Sequence, residues 1–135
     1  MTHNMQLQPV PFEMIRNGTK TIELRLYDEK RRKIQIGDTI VFVHAGNRAE
    51  TLRVNVIDLF VFDSFAKLYD ALPLLECGYT KDDIDTASPE DMDLYYSREE
   101  QQKYGVVGIK IRKEDRCISA SAKEDRDASQ LSVRS

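Results

Sequence analysis

Residues 17–28 read NGTKTIELRLYD, and this stretch alternates apolar and polar side chains in the manner of an extended strand. One face of the strand is apolar and consists of Ile22, Leu24 and Leu26. Glu23 and Arg25 lie on the opposite face, and Lys20 stands at the entrance of the strand, just after Gly18. A solvent-exposed strand and the wall of a binding cleft both produce this pattern, so the alternation alone leaves the two interpretations open.

The sequence on both sides of this strand alternates predicted strands with short helices. Further strands are predicted where β-branched and apolar residues concentrate, at residues 39–43, 50–62 and 106–111. Helical spacing predicts helices at residues 12–17 and 65–72, and capping residues predict two more that begin after Ser88 and Ser97. In the long strand the apolar parity changes after Val56, which predicts a β-bulge.

The folded body is predicted to be one α+β domain over residues 1–112, built as a small β-barrel with flanking short helices. Beyond residue 112 the apolar content collapses into mixed charges, serines and alanines. Such a segment cannot bury enough apolar surface to offset the entropy lost on ordering it. Residues 113–135 are therefore predicted to be a disordered tail.

Composition excludes several classes of function. The net charge is −3, so any binding of nucleic acid must depend on a local basic surface. No apolar run approaches the roughly 18 residues of a membrane span, and no secretory signal pattern is visible. The two cysteines and two histidines form no metal-binding pattern. We therefore expect a cytoplasmic protein without a metal, another cofactor or a membrane partner.

The most basic stretch of the body is the run Lys30, Arg31, Arg32 and Lys33. As a charge run it is typical of a solvated loop. It would also suit sequence-independent contacts to an RNA backbone, because lysine and arginine supply most such contacts. The sequence does not decide between these two roles.

The polar face of the opening strand offers the first candidate site. Lys20 is either an exposed loop residue, as lysines usually are, or a desolvated group that binds phosphate or acts as a base. Glu23 and Arg25 are either a surface ion pair worth about 0–1 kcal/mol or the lining of a concave face. In the second case the carboxylate would accept from a base or hold Lys20, and the guanidinium would clamp a phosphate.

A second candidate stretch is Tyr95, Tyr96 and Ser97, between two predicted short helices. Ser97 is explained by its role as the N-cap of the following helix, a contribution of about 1 kcal/mol. One tyrosine is expected to lie in the core. The other is expected to be a stacking platform for a planar ligand, and we expect Tyr96 to have this role.

Three motifs in this order resemble the ASCH family of the PUA-like superfold. Residues 18–25 (GTKTIELR) resemble its signature G-x-K-T-x-E-x-R, and residues 36–40 (IGDTI) resemble its entry into the next barrel strand. Residues 95–97 (YYS) and 104–109 (YGVVGI) resemble a segment that precedes the last strand. The resemblance implies a PUA-like barrel of about five to six strands with short flanking helices, whose cleft is lined by the GTKTIELR strand.

For function, the resemblance implies binding of RNA or nucleotides. One bacterial branch of the family hydrolyses acylated cytidine nucleosides with a lysine that corresponds to Lys20, assisted by a threonine and a later glutamate. In this sequence the position of that threonine is occupied by Glu23. Other relatives are reported to cut RNA.

Three hypotheses follow. The first is a module that binds RNA or a nucleotide-like small molecule, with ligand contacts from Lys20, Glu23, Arg25, Tyr95, Tyr96 and Ser97 and RNA-backbone contacts from residues 30–33. The second is an enzyme with Lys20 and Glu23 as catalytic residues, either an amidohydrolase of N4-acylated cytidine or a related modified nucleoside, or a ribonuclease. The third is a scaffold whose cleft binds nothing. Glu23, in place of the threonine, favours the first.

Overall fold

The computed structural model describes residues 1–114, which fold around a single curled sheet of five strands. The strands are β1 (Thr2–Leu7), β2 (Ile22–Leu26), β3 (Thr39–His44), β4 (Thr51–Phe62) and β5 (Val106–Lys113). Their order across the sheet is β1-β3-β4-β5-β2. β1 pairs with β3 in parallel, and the other three pairings are antiparallel. The sheet curls into a half-barrel, and the predicted α+β, PUA-like fold is confirmed.

Short helices fill the connections between strands. The α-helices are α1 (Pro9–Arg16), α2 (Glu29–Arg32), α3 (Phe65–Ala71) and α4 (Arg98–Tyr104). Three 3₁₀ turns lie at Leu74–Cys77, Ile84–Thr86 and Pro89–Leu94. Both predicted capping serines are observed, since Ser88 and Ser97 each form a capping box at the start of the following element. The predicted charged connection 28–33 contains α2, which is capped by the side chain of Asp28.

Two apolar clusters pack on the two faces of the sheet. The concave face holds residues from β1, β3, β4 and β5, together with Phe12 and Ile15 of α1. The apolar face of β2 packs in the second cluster with Phe65 and Leu68 of α3. The opposite face of β2, which carries Glu23, therefore points to the concave side of the sheet.

The predicted bulge in β4 is present. The pairing of β4 with β5 slips between Val56 and Asp58, so that Ile57 is the extra residue. Val56 before the bulge and Leu59 after it both pack in the concave cluster. The bulge thus keeps apolar side chains of this long strand on the concave side and increases the local twist that curls the sheet.

The two edge strands of the sheet, β1 and β2, approach each other across the open side of the half-barrel. The Nη2 of Arg25 donates to the backbone carbonyl of Gln6 at 2.9 Å. The Nζ of Lys30 donates to the carbonyl of Asn4 at 2.8 Å. Side chains rather than a strand ladder therefore connect these two edges.

One element and one boundary differ from the sequence predictions. The sequence predicts no element at residues 1–7, where β1 lies, because only two of its three buried residues, Met5 and Leu7, are apolar and its partner β3 is distant in sequence. β5 continues to Lys113, two residues beyond the predicted end of that strand. The predicted disordered tail comprises residues 113–135; Lys113 is instead the last residue of β5, and residues 115–135 lie outside the described part of the chain.

Gly105 has the backbone conformation that depends most on glycine. Its φ of 73° and ψ of −170° lie in a region that is essentially restricted to glycine, and a Cβ there would meet the carbonyl oxygen of Phe62 at 3.0 Å. We expect Gly105→Ala to lower the free energy of unfolding by about 1–3 kcal/mol in a urea titration. Gly46→Ala is the control, since Gly46 does not have a positive φ and the nearest atoms to its Cβ would belong to the side chains of His44 and Pro9 and not to backbone. Equal losses in both variants would contradict this account.

Candidate functional site

The three charged residues of the opening stretch converge on one carboxylate. The Nζ of Lys20 lies 2.7 Å from Oε1 of Glu23, and the Nε of Arg25 lies 2.6 Å from Oε2. The exposed fractions of the Lys20, Glu23 and Arg25 side chains are 10%, 5% and 13%, respectively. The cluster of Lys20, Glu23 and Arg25 is therefore buried, and the surface ion pair is excluded.

The local backbone explains how Lys20 reaches Glu23. α1 ends at Arg16, and Gly18 turns the chain with a φ of 88°. The N–H of Lys20 donates to the carbonyl of Met14 at 3.0 Å, which fixes the start of the strand against the helix. In β2, Glu23 pairs with Ile109 of β5, a residue of the concave cluster. The carboxylate thus lies on the concave side, close to the exposed edge of the sheet.

The charges within the cluster decide its protonation state. Burial alone would raise the pKa of Glu23, but the attraction of Lys20 and Arg25 outweighs burial and lowers that pKa. Burial would likewise lower the pKa of Arg25, but the charge of Glu23 outweighs it and raises that pKa. Glu23 is therefore a carboxylate at neutral pH, and the cluster carries one excess positive charge.

The two predicted tyrosines differ in position. Tyr96 is half-buried and stacks on Phe65, with ring centroids 6.2 Å apart and an interplanar angle of 15°. Burial raises the pKa of Tyr96 while the charge of Arg25 opposes that rise, so the hydroxyl lies within electrostatic range of the cluster. Tyr95 is 68% exposed. The sequence predicts one core and one exposed tyrosine, with Tyr96 as the stacking residue, but one face of that ring packs against the protein.

Ser97 acts as a helix cap. Its hydroxyl accepts from the N–H of Glu100 at 3.1 Å, and the Glu100 carboxylate accepts from the N–H of Ser97 in return. This capping box accounts for both side chains. It gives no indication of a ligand contact.

The basic run in and after α2 divides into buried and exposed parts. Arg31 is only 16% exposed and pairs with Asp28, its Nη1 lying 3.0 Å from Oδ2. Its Nε is buried without a hydrogen-bond partner among the described residues. The charges of Arg31 and Asp28 both act on the pKa of Tyr96, and that of Asp28 also acts on the pKa of Arg25, so this pair lies within electrostatic range of the cluster. An unsatisfied buried donor costs free energy, which a bound acceptor would recover.

The other members of the run are exposed. Lys30 donates to Asn4, as described above, and Arg32 lies over the ring of Tyr27 at 4.4 Å and donates to the carbonyl of Tyr104. Lys33 is exposed at the end of α2. Lys30 and Arg32 are thus engaged by backbone carbonyls, whereas Lys33 makes no hydrogen bond or ion pair within residues 1–114 and is available for a phosphate contact.

An open groove of about 340 Å³ lies at the start of β2. It is lined by Ile15, Gly18, Lys20, Thr21, Ile57, Glu76, Lys110, Ile111, Arg112 and Lys113. Lys20 belongs both to this groove and to the buried cluster. Four of the other lining residues are not predicted from the sequence: the pairing of β5 with β2 brings Lys110, Arg112 and Lys113 to Lys20, and Glu76 reaches the groove from the 3₁₀ turn Leu74–Cys77 through its bonds with Thr21.

Two further residues adjoin Lys20. A Cβ on Gly78 would lie 3.6 Å from the Nζ of Lys20, which places this glycine directly against the ammonium group. Cys77 is buried, and burial raises the pKa of its thiol to about 11. This cysteine is therefore a neutral thiol at physiological pH and lacks the thiolate character of a nucleophile.

Within residues 1–114, no group of three or more histidine, cysteine or acidic side chains is placed to hold a metal ion. No helix in the described part of the chain is long and apolar enough to cross a membrane.

Comparisons with known proteins place these features in a family. A model of the ASCH domain matches residues 5–115. The crystal structure of hypothetical protein PH0355 is 34% identical, with a TM-score of 0.70, and the match covers 84% of this chain and 100% of that one. The solution NMR structure of protein PF0455 from Pyrococcus furiosus is 33% identical, with a TM-score of 0.62 and coverages of 86% and 100%.

A more distant structure shares the fold. The crystal structure of a mutant ZmASCH protein from Zymomonas mobilis is 12% identical, with a TM-score of 0.57, and the match covers 81% of this chain and 66% of that one. No curated protein matches the chain significantly.

Proposed function

The chain belongs to the ASCH domain family, and on this premise we propose that it binds RNA or a nucleotide at the cluster of Lys20, Glu23 and Arg25. The observation that carries the proposal is the buried carboxylate held between two cations at 2.7 and 2.6 Å. Buried charges are costly unless they are paired, and here one carboxylate serves two cations. The excess positive charge at a strand edge attracts a phosphate or an electron-rich base edge.

The donors of the cluster suit such a ligand. The carboxylate of Glu23 accepts hydrogen bonds from the Nε of Arg25 and from the ammonium of Lys20. The backbone carbonyl of Gln6 accepts from the Nη2 of Arg25. The ammonium of Lys20 retains further donors, since it has three. These donors are held on a rigid strand, and rigid donors lose little entropy on binding.

Arg31 and Tyr96 extend the same site. Arg31 brings a second guanidinium that is 16% exposed, and the hydroxyl of Tyr96 lies within electrostatic range of it. The exposed Lys33 adds a sequence-independent attraction that weakens as salt is added. Tyr95 is the exposed ring on which a base could stack.

The test is a titration of a labelled single-stranded RNA decamer, followed by fluorescence anisotropy at low and moderate salt. We expect saturable binding that is competed by nucleoside monophosphates and weakened by salt. Tyr95→Ala is expected to weaken RNA binding by about 5–100-fold, because stacking contributes about 1–3 kcal/mol per base, whereas Tyr95→Phe retains the ring and the affinity. Absence of binding to both RNA and nucleotides would refute the proposal and leave a scaffold role.

A second candidate function is hydrolysis of an N4-acylated cytidine or a related modified nucleoside, and the buried contact between Lys20 and Glu23 favours it. The lowered pKa of Glu23 is an argument against it, because a weakly basic carboxylate accepts a proton poorly at neutral pH. Incubation with N4-acetylcytidine, followed by the change in cytosine absorbance, decides the matter. Turnover abolished by Lys20→Met would establish the enzyme, and no turnover at high protein concentration would exclude this substrate.

A ribonuclease has less support. Histidine is the usual acid or base at neutral pH, and neither histidine of the chain belongs to the cluster. His3 bonds to Asp38 at 2.8 Å, and the Nδ1 of His44 accepts from the N–H groups of Gly46 and Asn47. Both imidazoles therefore have structural partners.

The cytoplasmic location expected from the sequence stays a prediction.

A further inference from the structure

We propose that the groove at the start of β2 binds one nucleotide unit, with its phosphate held by Lys110 and Arg112. This inference rests on the proposed function and gives it a second contact region. We call this surface the β2–β5 groove and define it by its rim, which consists of Lys20, Lys110, Arg112, Lys113 and Glu76, and by its floor, which consists of Ile15, Ile57 and Ile111.

Strand pairing creates the basic rim. β5 runs antiparallel to β2, and Lys110 lies opposite Ile22 in the ladder. The N–H of Ile111 then donates to the carbonyl of Thr21 at 2.9 Å, just before β2 begins. The last residues of β5 therefore pass beside Lys20, and cations from opposite ends of the described chain meet at one place.

The charges on the rim leave it strongly positive. Four cationic side chains and one acid, Glu76, line the rim, although the whole chain carries a net charge of −3. The charge of Lys20 is also offset by Glu23 of the buried cluster, so the excess positive charge of the rim comes from Lys110, Arg112 and Lys113. Glu76 accepts from the hydroxyl of Thr21 at 2.8 Å, and its Oε1 lies 4.0 Å from the Nζ of Lys110. A single acid does not neutralise this rim. Such a local positive potential attracts a phosphate even on an acidic protein.

The rim cations differ in how far the protein already engages them. Lys20 is paired with Glu23, and Lys113 donates to the carbonyl of Arg16 at 2.8 Å. Among residues 1–114, Lys110 has only the long contact to Glu76 and is 39% exposed, and Arg112 is exposed near the end of β5. The side chains of Lys110 and Arg112 are therefore the ones that are available to donate hydrogen bonds to a ligand. Arginine suits phosphate in particular, because its planar fork donates two parallel hydrogen bonds.

The floor and the size of the groove identify the rest of the ligand. Three isoleucines from α1, β4 and β5 line it, and Ile57 is there because the bulge in β4 inserts it as an extra residue. An apolar floor below a cationic rim fits an aromatic base attached to a phosphate. The volume of about 340 Å³ lies near the lower end of small-molecule sites, which suits a single nucleotide.

Lys20 connects the β2–β5 groove to the buried cluster, because it lines one and belongs to the other. An RNA strand with one nucleotide in the groove can therefore continue past Lys20 to Arg25. The bound RNA would therefore run along β2, from the groove at its start towards Arg25. The basic run of α2 adjoins the Arg25 end of that path.

The test compares the double variant Lys110→Ala/Arg112→Ala with a matched control, Lys67→Ala/Lys81→Ala, which removes the same charge from exposed positions elsewhere. With the labelled RNA decamer, we expect the groove variant to bind about 10-fold more weakly or worse. Its salt slope should fall by about one unit for each phosphate that the variant no longer neutralises. AMP binding should weaken in parallel, whereas adenosine, which lacks the phosphate, should bind equally to both double variants.

The outcomes separate this inference from the proposed function. If the wild type binds RNA and the groove variant keeps the same affinity and salt slope as the control, the groove assignment is overturned and the cluster remains. If AMP binds the wild type in a Lys110- and Arg112-dependent manner but RNA does not bind, the groove stands and RNA recognition fails. If neither AMP nor RNA binds the wild type, both are overturned.

Discussion

Glu23→Ala is expected to lower the free energy of unfolding by about 3–5 kcal/mol, the largest loss that we expect from a single substitution in this chain. The side chain is 5% exposed and neutralises two buried cations, so its removal leaves both without their counter-ion. Since a domain of this size is stable by about 5–15 kcal/mol, the variant should melt at least about 10 °C below the wild type. Differential scanning calorimetry measures the shift.

Glu23→Gln is the matched control, because the amide fills the same space and keeps one acceptor. We expect a smaller loss than for Glu23→Ala. The difference between wild type and Glu23→Gln should also depend on pH. The pKa of Glu23 is lowered by folding, so its contribution is fully present above the unfolded value near 4.5 and is lost as the pH falls through the lower folded value. A difference that is constant from pH 7 to pH 2, or a loss below about 1 kcal/mol for Glu23→Ala, would contradict the buried cluster.

Arg25→Ala is expected to have the largest effect on RNA binding, a loss of about 10–100-fold. A hydrogen bond to a charged group contributes about 1.5–3 kcal/mol, and removal of the guanidinium also leaves the carboxylate of Glu23 with Lys20 alone. Arg25→Lys keeps the charge but cannot bond to Glu23 and Gln6 together, so it should give an intermediate affinity.

The binding loss must be separated from instability. Arg25 also connects β2 to β1 through Gln6, so Arg25→Ala will lower the melting temperature. Isothermal titration calorimetry at 10 °C, with the folded state of each variant checked by circular dichroism, measures affinity below the unfolding transition. Unchanged affinity in a folded Arg25→Ala variant would remove Arg25 from the binding site.

The local features of the fold could be predicted from the sequence. The alternation in residues 22–26 identified β2, and the change of apolar parity after Val56 identified the bulge in β4. Both signals depend on neighbouring residues and on burial of one face. β1 carried a weaker signal, since only His3, Met5 and Leu7 are buried and its parallel partner β3 lies more than 30 residues away. Long-range pairing of that kind leaves little trace in the strand itself.

The candidate site was predictable from the sequence only where it depends on residues that are close together in the chain. Spacing on one strand placed Glu23 and Arg25 together, and resemblance to a family added weight to Lys20. Spacing could not show that the polar face of β2 is buried, because that depends on the curl of the sheet. It also could not place Lys110 and Arg112 beside Lys20, since their contact follows from the ladder between β2 and β5.

The basic run was the feature on which the sequence was least informative. Four consecutive cations look equivalent in sequence, yet Arg31 lies beside the cluster with a buried unsatisfied Nε while Lys33 is exposed. The one-turn helix α2 separates them, because consecutive residues of a helix point in different directions. If the basic run contributes to RNA binding, Arg31 and Lys33 therefore contribute in different ways.

If a nucleotide ligand binds along β2, an NMR titration of the unmodified protein will detect it at the residues concerned. Labelled with ¹⁵N, the chain would be titrated with a single-stranded RNA pentamer and then with AMP. We predict saturable shifts in the backbone amides of residues 20–26 and 110–113, with side-chain changes at Arg25. Saturable shifts confined to other surfaces, or no shift in these residues at millimolar ligand, would contradict binding along β2.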